Sequence, residues 1–435
     1  MKTRRGGSVL FVVSWLALAV PSPRPLHAQT LGPEFQVNTY TTDMQKAPKV
    51  AADGQGGFVV VWESVTQDGS DYGIFGQRFS AAGTPTGSEF QVNNYTTGKQ
   101  YLTAVAADGP GNFIVAWNSP HDGSFEGVFV QIYDATGAPF GSNFQVNTYT
   151  TGGQFNPILA TNAAGDAVVL WTSNGQDGSG DGLFGRYAPA AQVYGPEFQV
   201  NTFTTGNQNR PAVAVAGTGE FVVVWGSQNQ DGAGAGYGVL GRLYNSLGAP
   251  LGGEFWANSY TTDHQQNPDV GVDAAGNFVV VWTSRLQDGS SWGIFGQRFS
   301  EGGKAAGSEF QVNSFTTGLQ YAPAVAVDAA GGFLVTWMSA VQDGSDRGIF
   351  GQRYDAAGTR VAGEFRVNSY TTNRQYAAAV TRDAADNFIV AWDSDGQDGA
   401  LQGVYAKRYR ALLFGGSFEP GDACDWSATL GGGCP

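Results

Sequence analysis

A Phe-x-Val/Ala-Asn element recurs along this chain with its Phe at 35, 90, 144, 198, 255, 310 and 365, so consecutive copies lie 54 to 57 residues apart. A period of this size marks a repeat architecture, in which each unit buries its apolar faces only against its neighbours. Other landmarks keep the same phase. Thr-Thr-x-x-Gln follows each copy, ending at Gln45, Gln100, Gln154, Gln208, Gln265, Gln320 and Gln375. Trp62, Trp117, Trp171, Trp225, Trp282, Trp337 and Trp392 come next. Five or six residues later stands an Asp-Gly pair, beginning at Asp68, Asp122, Asp177, Asp231, Asp288, Asp343 and Asp398.

Within the first unit four segments read as strands. Residues 48–52 are small and end in Asp53-Gly54-Gln55-Gly56, a hairpin turn; this is strand A. Residues 58–62, Phe-Val-Val-Val-Trp, are continuously apolar, as a strand covered on both faces must be; this is strand B. Residues 73–79 make strand C and residues 89–95 strand D. Such units match the blades of a propeller, so the sequence predicts an all-β, seven-bladed β-propeller of four-stranded antiparallel blades. A β-helix has much shorter rungs, and separate sandwiches need about twice the residues per domain. The first copy opens on a D-type strand, 34–40, and the last stops after a C-type strand, 403–409. Pairing these two closes the ring and leaves no blade short of its outer strand.

The first 28 residues read as an export signal: Lys2, Arg4 and Arg5 form a positive n-region, 9–20 an apolar h-region, and Leu26-His27-Ala28 a cleavage site. The h-region is too short to span a bilayer, so no membrane span is expected. Without this segment the chain holds 19 basic against 37 acidic residues, a formal balance near −18, which repels phosphate backbones and makes nucleic acid an unsuitable partner. The propeller is expected over 29–410, followed by a Gly-rich tail, 411–435. Cys424 and Cys434 lie ten apart in that tail and read as one local disulfide in an exported chain.

The landmarks resemble the tandem repeats of large RTX-type bacterial adhesins and related exported surface proteins. The residues that carry the likeness run through Gly57-Phe58-Val59-Val60-Val61-Trp62, Gln67-Asp68-Gly69-Ser70, Gly73-Ile74-Phe75-Gly76-Gln77-Arg78-Phe79 and Glu89-Phe90-Gln91-Val92-Asn93. The resemblance covers about 34–409 and implies an extracellular setting, adhesion and calcium. The chain departs from the family by lacking Gly-Gly-x-Gly-x-Asp nonapeptides and by carrying an N-terminal signal.

Chemistry-bearing motifs are sparse. His121 and His264 occupy non-equivalent repeat positions without neighbouring ligands, and no Ser elbow, phosphate loop or Asp box is present. A non-enzymatic protein without cofactor is expected; the alternative is a glycosidase or lyase using scattered carboxylates. The seven tryptophans read as core. The Asp-Gly pairs read as turns, Asp capping and Gly accepting positive φ. As a ring of cation sites they carry too few carboxylates for more than weak calcium binding.

Strand order places the D-to-A and B-to-C loops on one face. Just after the repeated Gln the copies read Lys46, Tyr101, Phe155, Asn209, Gln266, Tyr321 and Tyr376, and Trp292 follows the fifth Asp-Gly pair. Residues kept in every copy serve the fold, whereas these vary. Aromatic rings suit sugars and protein hot spots alike. Tyr101, Phe155, Tyr321, Tyr376 and Trp292 are therefore the candidate ligand residues of a secreted, monomeric, adhesive propeller that recognises an extracellular carbohydrate or protein.

Overall fold

A computed structural model describes residues 30–123, 125–189, 194–232 and 236–410. The expected export signal, 1–28, and the expected tail, 411–435, with Cys424 and Cys434, lie outside the described residues. The described chain forms seven four-stranded antiparallel sheets, each taking its strands in chain order except the last. There the strand Phe35–Gln36 joins Gln375–Arg382, Phe388–Asp395 and Gln402–Tyr409. Phe35 pairs with Ala406 and Gln36 with Tyr405, so the first strand completes the seventh blade as the phase of the repeats requires.

The repeated apolar residues fill the space between blades. All seven repeat tryptophans are at most 1 % exposed. Trp225 packs with Val168, Leu170 and Leu183 of the preceding blade, and Trp62 with Ile389, Ala391 and Val404 across the ring closure. Phe58 stacks on Phe79 at 4.9 Å, and Phe35 tilts onto the same ring at 5.4 Å. Equivalent trios recur, for example Phe221, Tyr244 and Phe198.

The repeated polar residues are equally structural. Asn201 illustrates a clip present in every blade: its Oδ1 accepts the Leu183 N–H at 2.7 Å, and its Nδ2 donates to the Phe203 carbonyl and to Gln208 Oε1. Gln208 in turn donates to the Thr205 carbonyl at 3.1 Å. The pair satisfies buried groups where the outer strand turns inward to start the next blade. A second device links blades. Glu197 accepts the N–H and hydroxyl of Thr148 and the amide of Gln176. Glu34 likewise receives Ser369 and Gln397, fastening the two chain ends. In the second blade His121 and Asn143 stand where the others have Gln and Glu, so both partners of the latch are changed together.

Strand A begins earlier than the sequence indicates. In the first blade it spans Gln45–Ala52, not 48–52. Gln45 and Lys46 pair with Ser64 and Glu63, then the register shifts, and the ladder resumes with Lys49 opposite Val61. Inside this bulge Ala47 takes a φ of 51°, and Leu102, Asn156, Arg210, Asn267, Ala322 and Ala377 at the equivalent positions take 51–54°. A left-handed residue other than glycine costs about 1–2 kcal/mol, so the packed ring must impose it seven times over. Pro48, Pro157, Pro211, Pro268 and Pro323 follow directly, where the interrupted ladder needs no N–H. Strand D is also displaced. In the first blade it covers Pro85–Gln91 instead of 89–95, because Asn93 leaves the ladder to form the clip.

Candidate functional site

The innermost strands of the seven blades stand side by side around a central channel. A cavity of about 420 Å³ within it is lined by residues from all seven, including Lys49, Ile158, Arg210 and Asp269. The D-to-A and B-to-C loops emerge together at one end, as strand order requires: Tyr72 bridges to Lys99, Trp292 to Leu319 and Arg347 to Arg374. This end is called the Gln face below.

The variable residues after the repeated Gln do not lie on the loops, where the sequence reading put them. They sit within the innermost strands, on the outer side of the bulge, and form a half-buried rim around the channel mouth. The early start of strand A is the reason. Tyr321 and Trp292 meet edge-on at 5.8 Å, at an interplanar angle of 86°. The Tyr321 hydroxyl is 3.1 Å from both Arg210 Nη1 and Gln266 Nε2, so residues of three blades converge there. Tyr376 lies beneath the Arg347 guanidinium, 5.1 Å from it. Tyr101 donates to Glu126 on its own blade, and burial with that carboxylate pushes its phenol pKa up. Phe155 is half-buried at its place on the rim. The structure thus joins Tyr321 to Trp292 and distributes Tyr101, Phe155 and Tyr376 around the circle.

Charged residues that sequence reasoning did not single out cluster on the same rim. Glu63 follows Trp62 and Asp393 follows Trp392, both almost fully buried. Glu63 accepts the Leu102 N–H at 2.7 Å and Asp393 the Ala47 N–H at 3.1 Å, so each carboxylate caps an amide freed by the bulge of the next blade. Asn118 does the same for Asn156. Burial raises the pKa of Glu63, opposed by the Leu102 N–H and by Lys46 at 3.7 Å. Burial likewise pushes Asp393 up to about 7. Lys46 also stands 4.5 Å over the Tyr72 ring. A sequence signal existed: these acids replace Asn, Thr, Gly or Met at the same repeat position.

Deeper in the channel Lys49 and Asp269 occupy the position that is Ala or Ile in the other five blades. Asp269 accepts the Val325 N–H at 2.7 Å, and burial raises its pKa to about 6. Burial lowers that of Lys49, against the attraction of Asp269 and Glu63. Lys49 lines the channel, and its side chain is open to the solvent there.

The Asp-Gly aspartates serve their own turns. Asp68 Oδ1 accepts the Ser70 N–H, and its Oδ2 lies 3.2 Å from Asn93 Nδ2. Asp177 and Asp288 repeat both contacts. Asp343 and Asp398 cap the amides two residues on. Asp122 and Asp231 head the corresponding turns, where Gly123 and Gly232 hold φ of 90° and 73°. Gly73 is required beside this turn, since a Cβ there would come within 2.6 Å of the Asp68 carboxylate. Among the described residues no group of three His, Cys, Asp or Glu is placed to hold a metal. His121 is packed between Tyr95 and Phe129 at 4.2 and 3.9 Å, and burial lowers its pKa.

The architecture defines the class: an all-β, seven-bladed propeller of tandem repeats. No family model matches the chain, and no curated protein does. Among solved structures it is similar to a protein of unknown function from Dyadobacter fermentans, at 10 % identity and a TM-score of 0.50, over 89 % of this chain and 99 % of that one. It is also similar to an ulvan lyase of polysaccharide lyase family PL25, at 10 % identity and a TM-score of 0.52, over 86 % and 95 %. At such identity the likeness is one of fold. Among the described residues no helix is long and apolar enough to cross a membrane.

Proposed function

We propose that this chain is an exported, adhesive propeller that binds carbohydrate at the channel rim of its Gln face without transforming it. One observation carries the reading. The residues common to all blades are committed to core, clips and turns, whereas the rim position is freed from repetition and filled by Tyr, Phe, Lys, Gln and Asn. Tyr321 and Trp292 give it an apolar platform edged by donors from Arg210 and Gln266, the combination that sugar rings take. The charged and apolar pattern of 1–28 and the resemblance to adhesin repeats support an extracellular place of action. The protein acts as a monomer and without cofactor, and calcium binds its Asp-Gly turns weakly at most. A glycan array on the purified protein, repeated with Tyr321→Ala and Tyr376→Ala combined, tests the reading. Signal on the native protein that disappears in the variant supports it; an array blank for both overturns it.

The second reading, a polysaccharide-degrading enzyme, is favoured by Glu63 and Asp393, two carboxyls held toward their protonated forms beside Lys46. Their duty as amide caps weighs against it. Release of new chain ends from a bound polysaccharide would establish the enzyme instead.

A further inference from the structure

Lys46, Arg285, Arg347, Arg374 and Arg382 each have a carboxylate within 4.0 Å. Most of the other described cations have none, and two of these, Lys49 and Arg210, line the channel. Among the described residues the Lys49 ammonium has no hydrogen-bond partner, and the carboxylates that attract it, Asp269 and Glu63, lie beyond salt-bridge distance. Arg210 is held in place by neutral partners, Asn267 Oδ1 and the Tyr321 hydroxyl, with its charge left uncompensated. The one carboxylate in the cavity lining, Asp269, is turned to the Val325 N–H of the adjoining blade. The rest of the wall is chiefly alanine, proline and valine.

Two cationic side chains open to one channel, neither in a salt bridge, favour an anion that brings its own oxygens. Two cations thus face one cavity in a chain whose formal charge is strongly negative. A cavity of about 420 Å³ exceeds a bare inorganic anion and suits one sugar residue, with the apolar wall against the ring's C–H faces. We propose that the channel is an anion subsite that takes the carboxylate of an acidic sugar between Lys49 and Arg210, while the adjoining residue of the glycan lies on Tyr321 and Trp292. This rests on the carbohydrate-binding reading above and narrows it to uronate-bearing glycans.

The test is calorimetric titration of the full chain with tetrasaccharides of glucuronate, galacturonate and mannuronate, a glucose tetrasaccharide, and inorganic sulfate. At least one oligouronate is expected to bind, and Lys49→Met and Arg210→Gln should each weaken it tenfold or more, with Lys49→Arg restoring most of the affinity. Unchanged unfolding transitions in the variants assign such losses to the site. Neutral and acidic tetrasaccharides binding alike, or indifference to both substitutions, would overturn the acidic-sugar inference and leave the rim reading standing. Failure of every oligouronate while array glycans still bind would do the same. Sulfate binding as tightly as the oligouronates, with the same dependence on Lys49, would replace it with a simple anion site. Failure of every saccharide here and on the array would remove both.

Discussion

Asp393 offers a sharp test of how the rim is built. Its carboxyl is 2 % exposed, and its Oδ1 accepts the Ala47 N–H of the first blade. Burial lifts its pKa from 3.8 to about 7, with the nearby acids Asp395 and Glu63 adding to the rise and the Ala47 N–H and Lys46 opposing it. The unfolded chain releases this proton near pH 4, whereas the folded protein keeps it to about pH 7. Stability from the buried acid is therefore complete below about pH 4 and drains away as pH climbs through the folded value. A gap of about three units at about 1.4 kcal/mol each amounts to about 4 kcal/mol. Asp393→Asn keeps the shape and the acceptor oxygen but cannot ionise. Urea unfolding followed by tryptophan fluorescence should show variant and native protein equally stable near pH 4. By about pH 8 the variant should lead by about 4 kcal/mol, the gap opening between those limits. A difference that stays constant over this range would refute the burial argument. Glu63 shifts in the same direction and is present in both proteins, so only its repulsion of the Asp393 carboxylate enters the difference.

Three further outcomes follow from the packing. Trp225→Ala, which empties a site between the third and fourth blades, should cost about 3–5 kcal/mol, and an unchanged melting temperature would contradict its place in the core. Asn201→Ala removes four hydrogen bonds and strands buried partners at Leu183 and Gln208; a loss of about 2–4 kcal/mol in denaturant titration is expected, and a neutral result would show the clip to be dispensable. A chain beginning at Thr42 lacks both the closing strand and the Glu34 latch, so light scattering should detect aggregation or the unfolding transition should fall sharply; a monomer of native stability would count against closure.

The ring was legible because the constraints that build it repeat. Spacing of Phe, Gln and Trp located the blades, and the phase of the ends located the closure. What the sequence concealed arises where residues far apart in the chain meet. The bulge after each Gln has no glycine to announce it: Ala47, Leu102 and Arg210 are forced into left-handed geometry by packing. Its consequence, the shift of Tyr101, Tyr321 and their equivalents from loop to rim, was hidden with it. The latch left a faint trace, since His121 and Asn143 depart together in the second blade. Lys49 and Asp269 were visible as charged exceptions among small residues, but only the closed ring shows that their strands share one channel.

Where a glycan lies on this protein tests the account most directly. Crystals of the protein soaked with the oligosaccharide that the array selects should show it at the channel mouth of the Gln face, with one sugar ring against Tyr321 and Trp292. A glycan ordered on the opposite face, or along the outer strands with the rim unoccupied, would contradict the account.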